Sequence, residues 1–171
     1  MKVLFLVRHA KSSWDDPAAE DIDRPLNKKR KSNALEMGER LHSQGIIPGI
    51  MISSPARRAM STARKIAKKI NYPREGIRVE KGIYEGSVDA LLDIIRNVPG
   101  DPGSVLLLDH NPGITGFANS LCGINIHNIP TCGIVSIHFD FAEWKQIDHK
   151  KGTLVFFDYP RKSPNAASQS R

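Results

Sequence analysis

The sequence contains few cysteines and no long apolar run. Only two cysteines occur in 171 residues, Cys122 and Cys132, and neither has the spacing of a metal site. We therefore expect free thiols in a reducing compartment rather than a disulfide. No apolar run approaches the roughly 20 residues that cross a bilayer, and the run after Lys2 is too short for a signal peptide. We expect a cytoplasmic protein with no membrane partner.

Aromatic residues are also scarce, at 6% of the chain. Proteins that bind single-stranded nucleic acid stack bases on aromatic side chains interleaved with positive charge, and this pattern is missing. Helix-turn-helix and zinc-finger patterns are missing as well. These absences disfavour nucleic acid as a partner, although the net charge of +7 permits acidic partners in general. The run 28–31 (KKRK) is either a solvated basic face or a recruitment site for an acidic partner.

The length and the order of the patterns indicate one domain. At 171 residues the chain can bury its own core, and no linker or internal repeat divides it. Short apolar runs alternate with amphipathic stretches, which predicts an α/β fold of three layers (αβα) with a mixed, mostly parallel central sheet. The domain is expected to occupy residues 1–162, and residues 163–171 are expected to be a disordered tail.

The predicted elements follow the periodicity of the apolar residues. Strands are predicted over 3–7, 49–54, 77–80 and 104–108. The late segments 133–139 and 153–158 are expected to pair antiparallel. Helices are predicted from Asn27 to Gly45, over 57–70, from Ser87 to Val98 and from Pro112 to Gly123. Asn27 and Ser87 are expected to be N-caps, and Pro112 suits a first helical turn.

Charged and polar side chains follow three of the predicted strands. The sequence continues as RHA after the strand 3–7, as PARR after 49–54 and as DHNP after 104–108. Open α/β sheets bind ligands at the carboxyl ends of their strands. If these strands are aligned neighbours, His9, His110 and at least two guanidiniums meet in one pocket. The residues 11–26, which contain four aspartates, are expected to form a surface loop bordering that pocket.

Such a grouping suits a phosphoryl group. Guanidiniums bind phosphate oxygens in pairs, and phosphoryl transfer is catalysed mainly by positioning and by neutralising charge. A histidine can also act as the nucleophile and form a phosphohistidine that water then hydrolyses. No metal or other cofactor is required when the protein itself supplies the cations. Taken singly, each motif also has an ordinary interpretation as a structural histidine, a pair of surface arginines or a turn.

The motifs together resemble those of a known family. LVRHAKSS, SSPARRAMSTA and HNPG are similar to motifs of the histidine phosphatase superfamily, which includes the phosphoglycerate-mutase-like enzymes. DRPLN (residues 23–27) and the short length resemble the small SixA-type phosphohistidine phosphatases. The resemblance extends from Lys2 to about Lys162. It implies a phosphoglycerate-mutase-like fold and the hydrolysis of phosphohistidine on a protein.

The resemblance also implies roles for individual residues. His9 matches the nucleophile that becomes phosphorylated, and Arg8 and Arg58 match the two phosphate-binding arginines. Arg58 is preferred to Arg57 because of its place in the motif. His110 matches the second histidine, which binds the phosphoryl group and is charged during transfer.

The remaining candidates are less well defined by the motifs. Ser12 either contacts the substrate or only turns the chain, and Asn111 is a candidate for substrate contact. Glu85 is either the acid that protonates a leaving oxygen or a loop carboxylate, and the SixA-type enzymes are thought to need no dedicated acid. Asp109 stands where that branch commonly has glycine. It either raises the proton affinity of His110 or points into the helix layer.

Three functions are compatible with the sequence. The first is a metal-independent phosphatase that acts on protein phosphohistidine through a phosphorylated histidine. The second is a phosphatase of small phosphate esters, and the third is a non-catalytic basic module that binds phosphate or nucleic acid. The expected partner is a phosphorylated protein or a small phosphate ester, and the sequence does not indicate the oligomeric state.

Overall fold

A computed structural model describes residues 1–160 of the chain, so the tail expected at 163–171 lies outside the described residues. The strands are β1 (Lys2–Arg8), β2 (Ile50–Ser53), β3 (Arg78–Val79), β4 (Ser104–Asp109), β5 (Ile134–Phe139) and β6 (Gly152–Asp158). The α-helices are α1 (Lys31–Ser43), α2 (Arg57–Lys69), α3 (Val88–Arg96) and α4 (Gly113–Cys122). Short 3₁₀ helices lie at Asp21–Asp23, Lys28–Arg30, Arg74–Gly76, Lys81–Ile83 and Trp144–Gln146.

The strands form one mixed sheet in the order β3-β2-β4-β1-β5-β6. β1 lies near its centre, parallel to β4 and antiparallel to β5. β2 and β3 continue the parallel part, and β5 pairs antiparallel with β6. The side chains of Leu4, Leu6 and Val7 are fully buried, as a continuous apolar run in a strand covered on both faces requires. The predicted mixed, mostly parallel sheet is confirmed.

Helices cover both faces of the sheet and complete the three layers. Successive residues of a strand point to opposite faces. On β4, Leu106 belongs to a core cluster with α1 and α2, whereas Leu107 belongs to a second cluster with α3 and α4. The predicted three-layer α/β fold is therefore confirmed.

Cys122 and Cys132 are both free thiols. No helix in the described part of the chain is long and apolar enough to cross a membrane.

The helix ends lie within one or two residues of the predictions, except at the start of α1. The hydroxyl of Ser87 accepts a hydrogen bond from the backbone of Ala90 at 3.1 Å and caps α3. Asn27, however, does not cap α1, because the 3₁₀ helix Lys28–Arg30 intervenes and α1 begins at Lys31. The N-terminus of a helix carries a partial positive charge, so a run of positive side chains there is electrostatically unfavourable. The basic run therefore lies mostly in this 3₁₀ turn, ahead of the α-helix proper.

Candidate active site

The carboxyl ends of β2, β4 and β1 meet at one edge of the sheet. β4 pairs in parallel with both other strands, and Arg8 lies beside Asp109 at the end of the β1–β4 ladder. The residues that follow these strands are consequently neighbours. The ring centroids of His9 and His110 lie 5.0 Å apart, and Arg58, in the first turn of α2, lines the cavities that contain them. The convergence expected from the order of the motifs is present in the structure.

His9 has one ring nitrogen bonded to the backbone and the other free to react. Its Nδ1 lies 2.7 Å from the carbonyl oxygen of Ala10, and because a carbonyl can only accept, Nδ1 carries a proton. The pKa of His9 is lowered to about 4, mainly by burial and also by the positive charges of Arg58 and Arg8. At neutral pH His9 is therefore an uncharged imidazole with a lone pair on Nε2. That nitrogen can attack an electrophilic phosphorus.

His110 lies opposite His9 and is also neutral. Its Nε2 is 2.6 Å from Oγ of Ser54, and the ring of Tyr84 packs edge-on against it with centroids 5.5 Å apart. Burial lowers the pKa of His110 to about 3, and the positive charge of Arg58, with that of His9 when it is protonated, acts in the same direction. The resemblance implies a charged histidine during transfer. A negative phosphoryl group beside the ring would favour that charge by opposing the repulsion from the cations.

Two buried nitrogen atoms in the site lack a hydrogen-bond partner from the protein. Arg8 donates from Nη1 to the carbonyl of Ile129 at 2.9 Å, but its Nε bonds to no group among residues 1–160. The same is true of Nδ1 of His110. Buried polar atoms are normally paired. Nε of Arg8 can donate to an acceptor oxygen, whereas Nδ1 of His110 donates or accepts according to which ring nitrogen carries the proton.

Arg58 is held by the loop that precedes α1. Its Nη1 donates to the carbonyl of Asp21 at 2.6 Å, and its Nη2 donates to the Asp21 carboxylate at 3.0 Å. The carboxylate also accepts from the hydroxyl of Tyr84 at 2.5 Å and from Nη1 of Arg24 at 3.0 Å. The Tyr84 bond is the largest of the effects that hold the pKa of Asp21 at about 2. Asp21 is thus an ionised anchor for three donors from separate parts of the chain.

Arg24 adds a third guanidinium to the site. Its side chain is buried, and its Nε donates to the carbonyl of Ser13 at 3.1 Å. The hydroxyl of Ser12 accepts a hydrogen bond from Nη2 of Arg24, and the guanidinium stacks 3.0 Å from the ring centroid of Trp14. Ser12 therefore lies in the site, where its visible contact positions Arg24.

The side chains divide between two neighbouring cavities that share Arg58. The smaller has a volume of about 530 Å³, and its basic and polar lining includes Arg8, His9, Lys11, Ser12, Arg24 and Arg58. The larger has a volume of about 660 Å³, and its lining includes Asp21, Arg58, Tyr84, Glu85, His110 and Asn111. The first cavity has the cations that a phosphoryl group needs. The second cavity is larger, is lined by the carboxylates of Asp21, Glu85 and Asp109, and has room for the part of a substrate beyond the phosphoryl group.

Asn111 lines the larger cavity, but its side chain is engaged by the protein. Its amide nitrogen donates to Oδ1 of Asn128 at 2.6 Å and to the carbonyl of Ile129 at 3.1 Å. Its oxygen accepts from the hydroxyl of Thr115 at 2.6 Å. These bonds fasten the chain before β5 to the start of α4. They give Asn111 a structural contact in addition to the substrate contact expected from the sequence.

The two acidic candidates beside His110 differ in exposure. Glu85 is exposed, lines the larger cavity and has a backbone φ of +57°, which turns the chain there. Asp109 is 2% exposed, and its Oδ1 accepts the backbone N–H of His110 at 2.6 Å. Burial raises the pKa of Asp109 to about 7. Its visible bond is to the His110 backbone rather than to the imidazole, and Asp109 also lines the larger cavity.

The comparison with protein families supplies the identity. The sequence matches the model of the histidine phosphatase superfamily (branch 1) over residues 4–91, a stretch that contains His9 and both candidate arginines. The chain belongs to the histidine phosphatase superfamily. An uncharacterized chloroplastic protein of Arabidopsis thaliana is 27% identical over 151 residues, covering 84% of this histidine phosphatase and 69% of that protein. Membership of the superfamily supports phosphatase activity.

Solved structures share the fold of this histidine phosphatase. The SixA protein of Agrobacterium tumefaciens superposes with a TM-score of 0.80 at 22% identity, covering 93% of this chain and 98% of that one. A protein histidine phosphatase SixA complexed with tungstate also gives a TM-score of 0.80, at 24% identity, covering 92% of this chain and 97% of that one. At these identities the similarity shows the fold. The expected phosphoglycerate-mutase-like architecture is confirmed.

Several residues of the site of this histidine phosphatase had no role assigned from the sequence. Asp21 contacts both Arg58 and Tyr84 only because distant segments meet, and no local pattern indicates these contacts. Thr62 gives a clearer signal, since it places a hydroxyl on the buried face of α2. Its Oγ1 accepts from the backbone of Ala10 at 3.0 Å and donates to the carbonyl of Arg58 at 2.8 Å. Thr62 thereby ties the turn after His9 to the first turn of α2.

Proposed function

We propose that the protein is a metal-independent phosphatase that removes phosphate from phosphohistidine on proteins by way of a phosphorylated His9. The observation that carries this proposal is the state of His9, which is neutral, protonated on Nδ1 and free on Nε2. The site adds guanidiniums and a second histidine around that nitrogen. These are the groups that position a phosphoryl group and neutralise its charge.

The proposed first step transfers the phosphoryl group to His9. The lone pair of Nε2 forms a bond to phosphorus while the bond from phosphorus to the substrate imidazole breaks. The substrate ring keeps the bonding electrons and leaves as neutral imidazole when its other nitrogen carries a proton. His9 becomes a phosphorylated imidazolium, because its Nδ1 retains the proton that it donates to Ala10.

The proposed second step releases phosphate. A water oxygen bonds to phosphorus as the bond from phosphorus to Nε2 breaks, and His9 takes back the electron pair. One proton of the water passes to the released phosphate or to solvent, so His9 returns to its neutral form. The Nδ1 proton assists here too, because a protonated phosphoimidazole is a better leaving group than a neutral one.

Two arguments favour phosphohistidine as the substrate. An imidazole that can be protonated on its second nitrogen leaves without help, so a site for phosphohistidine needs no dedicated acid. Glu85, the exposed carboxylate of the larger cavity, makes no hydrogen bond or ion pair with the described residues that would fix it as such an acid. In addition, one structure with the same fold is named a protein histidine phosphatase and holds tungstate, an oxyanion like phosphate.

Trapping the intermediate tests the mechanism. The wild-type protein, incubated with a phosphohistidine protein in a chelating buffer and quenched in alkali, should carry acid-labile phosphate on His9. The variant His9→Ala should carry none, and His42→Ala, which removes an exposed histidine of α1, should behave as wild type. Equal labelling of all three proteins would contradict the phosphohistidine intermediate. Loss of turnover in the chelator would contradict metal independence.

Small phosphate esters are the second candidate substrates. The larger cavity, at about 660 Å³, accommodates a small leaving group next to Arg58 and His110, and Glu85 lies at its wall. An alkoxide leaves poorly without a proton, so an esterase requires the acid. Glu85→Gln should therefore slow hydrolysis of an alkyl phosphate and leave phosphohistidine hydrolysis unchanged if esters are the substrate class. Phosphate-dependent binding without any turnover would instead favour the non-catalytic module.

A further inference from the structure

The outer face of α2 carries a row of positive charges. Arg57, Ser61, Arg64 and Lys68 recur at the spacing that places residues on one face of a helix, and the three cations are exposed. Together with the turn that follows α2, this face forms a shallow groove of about 530 Å³. We call it the basic groove, and its lining residues are Leu35, Ser61, Arg64, Lys65, Lys68, Tyr72 and Arg74.

The charges of the basic groove are not compensated by the described part of the protein. None of its four cations forms an ion pair within residues 1–160. The neighbouring Glu39 is already paired with Lys69 at 3.0 Å, and Glu75 is exposed beside the groove. No acidic residue lies in the first turn of α2 either. The groove therefore offers a positive surface to an acidic partner.

The basic groove is connected to the active site by α2 itself. This helix begins at Arg57 and Arg58, and Arg58 lines both cavities of the site. Arg64 and Lys68 follow Arg57 by 7 and 11 residues, which is about 10 Å and about 16 Å along a helix at 1.5 Å per residue. An extended chain covers those distances in about three to five residues.

We propose that the basic groove docks an acidic segment of the phosphorylated protein substrate, with its carboxylates at least three to five residues from the phosphorylated residue. This proposal rests on the proposed function. The groove contains one aromatic residue, Tyr72, whose hydroxyl is already bonded to Met51 and Gly76. Its only aliphatic lining residue, Leu35, is half-buried. Both facts favour an acidic peptide over stacked bases or a lipid surface.

A pair of phosphohistidine peptides tests the docking. One has glutamates three to five residues on each side of the phosphohistidine, and the other has glutamines there. The wild type should hydrolyse the glutamate peptide with a KM about tenfold lower, as three or four exposed ion pairs allow. The triple variant R64Q/K65Q/K68Q should lose this preference and keep its kcat for the glutamine peptide. The control K145Q/K150Q/K151Q removes equal charge outside the groove and should keep the preference for the glutamate peptide.

The outcomes separate the docking from the chemistry. Hydrolysis of both peptides with the same KM by the wild type would overturn the docking and leave the proposed function intact. If neither peptide is hydrolysed, the proposed function fails, and binding of both peptides to His9→Ala still decides whether the groove selects acidic segments. Binding of single-stranded DNA or anionic vesicles that the triple variant loses while peptide binding persists would also overturn the proposal.

Discussion

At the scale of residues, Arg57 and Arg58 show how one position along a helix separates a surface cation from a site cation. Each residue turns a helix by about 100°, so neighbours point in different directions. Arg58 is 6% exposed and directs both terminal nitrogens to Asp21, whereas Arg57 is exposed and lines neither cavity of the site. The planar fork of Arg58 is what a lysine cannot reproduce.

Arg58→Lys should therefore reduce activity although it keeps the charge. We expect kcat/KM for an aryl phosphate or a phosphohistidine peptide to fall by about 100-fold, the usual cost of one lost transition-state donor. Arg57→Lys is the matched control, and it should stay within about twofold of wild type because an exposed cation contributes little. Steady-state kinetics on both variants make the measurement. Equal losses in the two variants would mean that the assignment of Arg58 is wrong.

Asp109 is a second residue whose surroundings predict a measurable effect. Its carboxyl is buried, Oδ2 has no partner in the described structure, and its pKa is raised from 3.8 to about 7. Because the folded protein holds this proton more tightly than the unfolded chain, folded stability falls as pH rises from about 4 to about 7. His9 and His110 have lowered pKa values, so their contribution to folded stability rises with pH up to about pH 6.5.

Asp109→Asn should remove the part of the pH dependence that belongs to this carboxyl. Asparagine keeps the oxygen that accepts the His110 backbone N–H but cannot ionise. The stability of the variant relative to wild type should rise by about 3 kcal/mol between about pH 5 and about pH 8, at 1.36 kcal/mol per pKa unit. Urea unfolding at both pH values measures this, with the exposed Asp140→Asn as control. A constant difference would show that Asp109 does not titrate in this range.

At the scale of elements, the sequence predicts those strands and helices that have regular apolar periodicity and recognisable terminal residues. The strands, their mixed pairing and the helices α2, α3 and α4 follow from apolar spacing and from terminal residues such as Ser87 and Gly123. The start of α1 does not follow from the apolar spacing, because the basic run before it is unfavourable at a helix N-terminus. The anchor at Asp21 is also invisible in the sequence, since its partners Arg58 and Tyr84 come from distant segments.

The cap of α3 allows a test of how much one helix end contributes to the stability of the fold. Ser87→Ala removes the hydroxyl that accepts from Ala90, so the free energy of unfolding should fall by about 1 kcal/mol. Ser87→Thr keeps a capping oxygen and should recover most of that loss. Chemical denaturation of the three proteins measures it. If both variants are equally destabilised, the hydroxyl bond is not the source of the cap's contribution.

At the scale of the whole molecule, one sheet separates two hydrophobic clusters. Adjacent residues of β4 point to opposite faces of the sheet. Leu106 packs in the cluster that includes α1 and α2, and Leu107 packs in the cluster that includes α3 and α4. The active site draws on both sides, because Arg58 comes from α2 whereas His110 precedes α4. The geometry of the site therefore depends on the two clusters being formed together.

Leu106→Ala tests whether the two clusters unfold as one unit, as the single domain expected from the sequence requires. A buried leucine truncated to alanine costs about 2–5 kcal/mol. Trp144 reports the opposite cluster, and a Trp14→Phe background removes the exposed second tryptophan. If unfolding is cooperative, Trp144 fluorescence and far-UV circular dichroism should shift to lower urea by the same amount. A Trp144 transition that stays in place would show that the α3–α4 side folds independently, and the site would then join two separately stable halves.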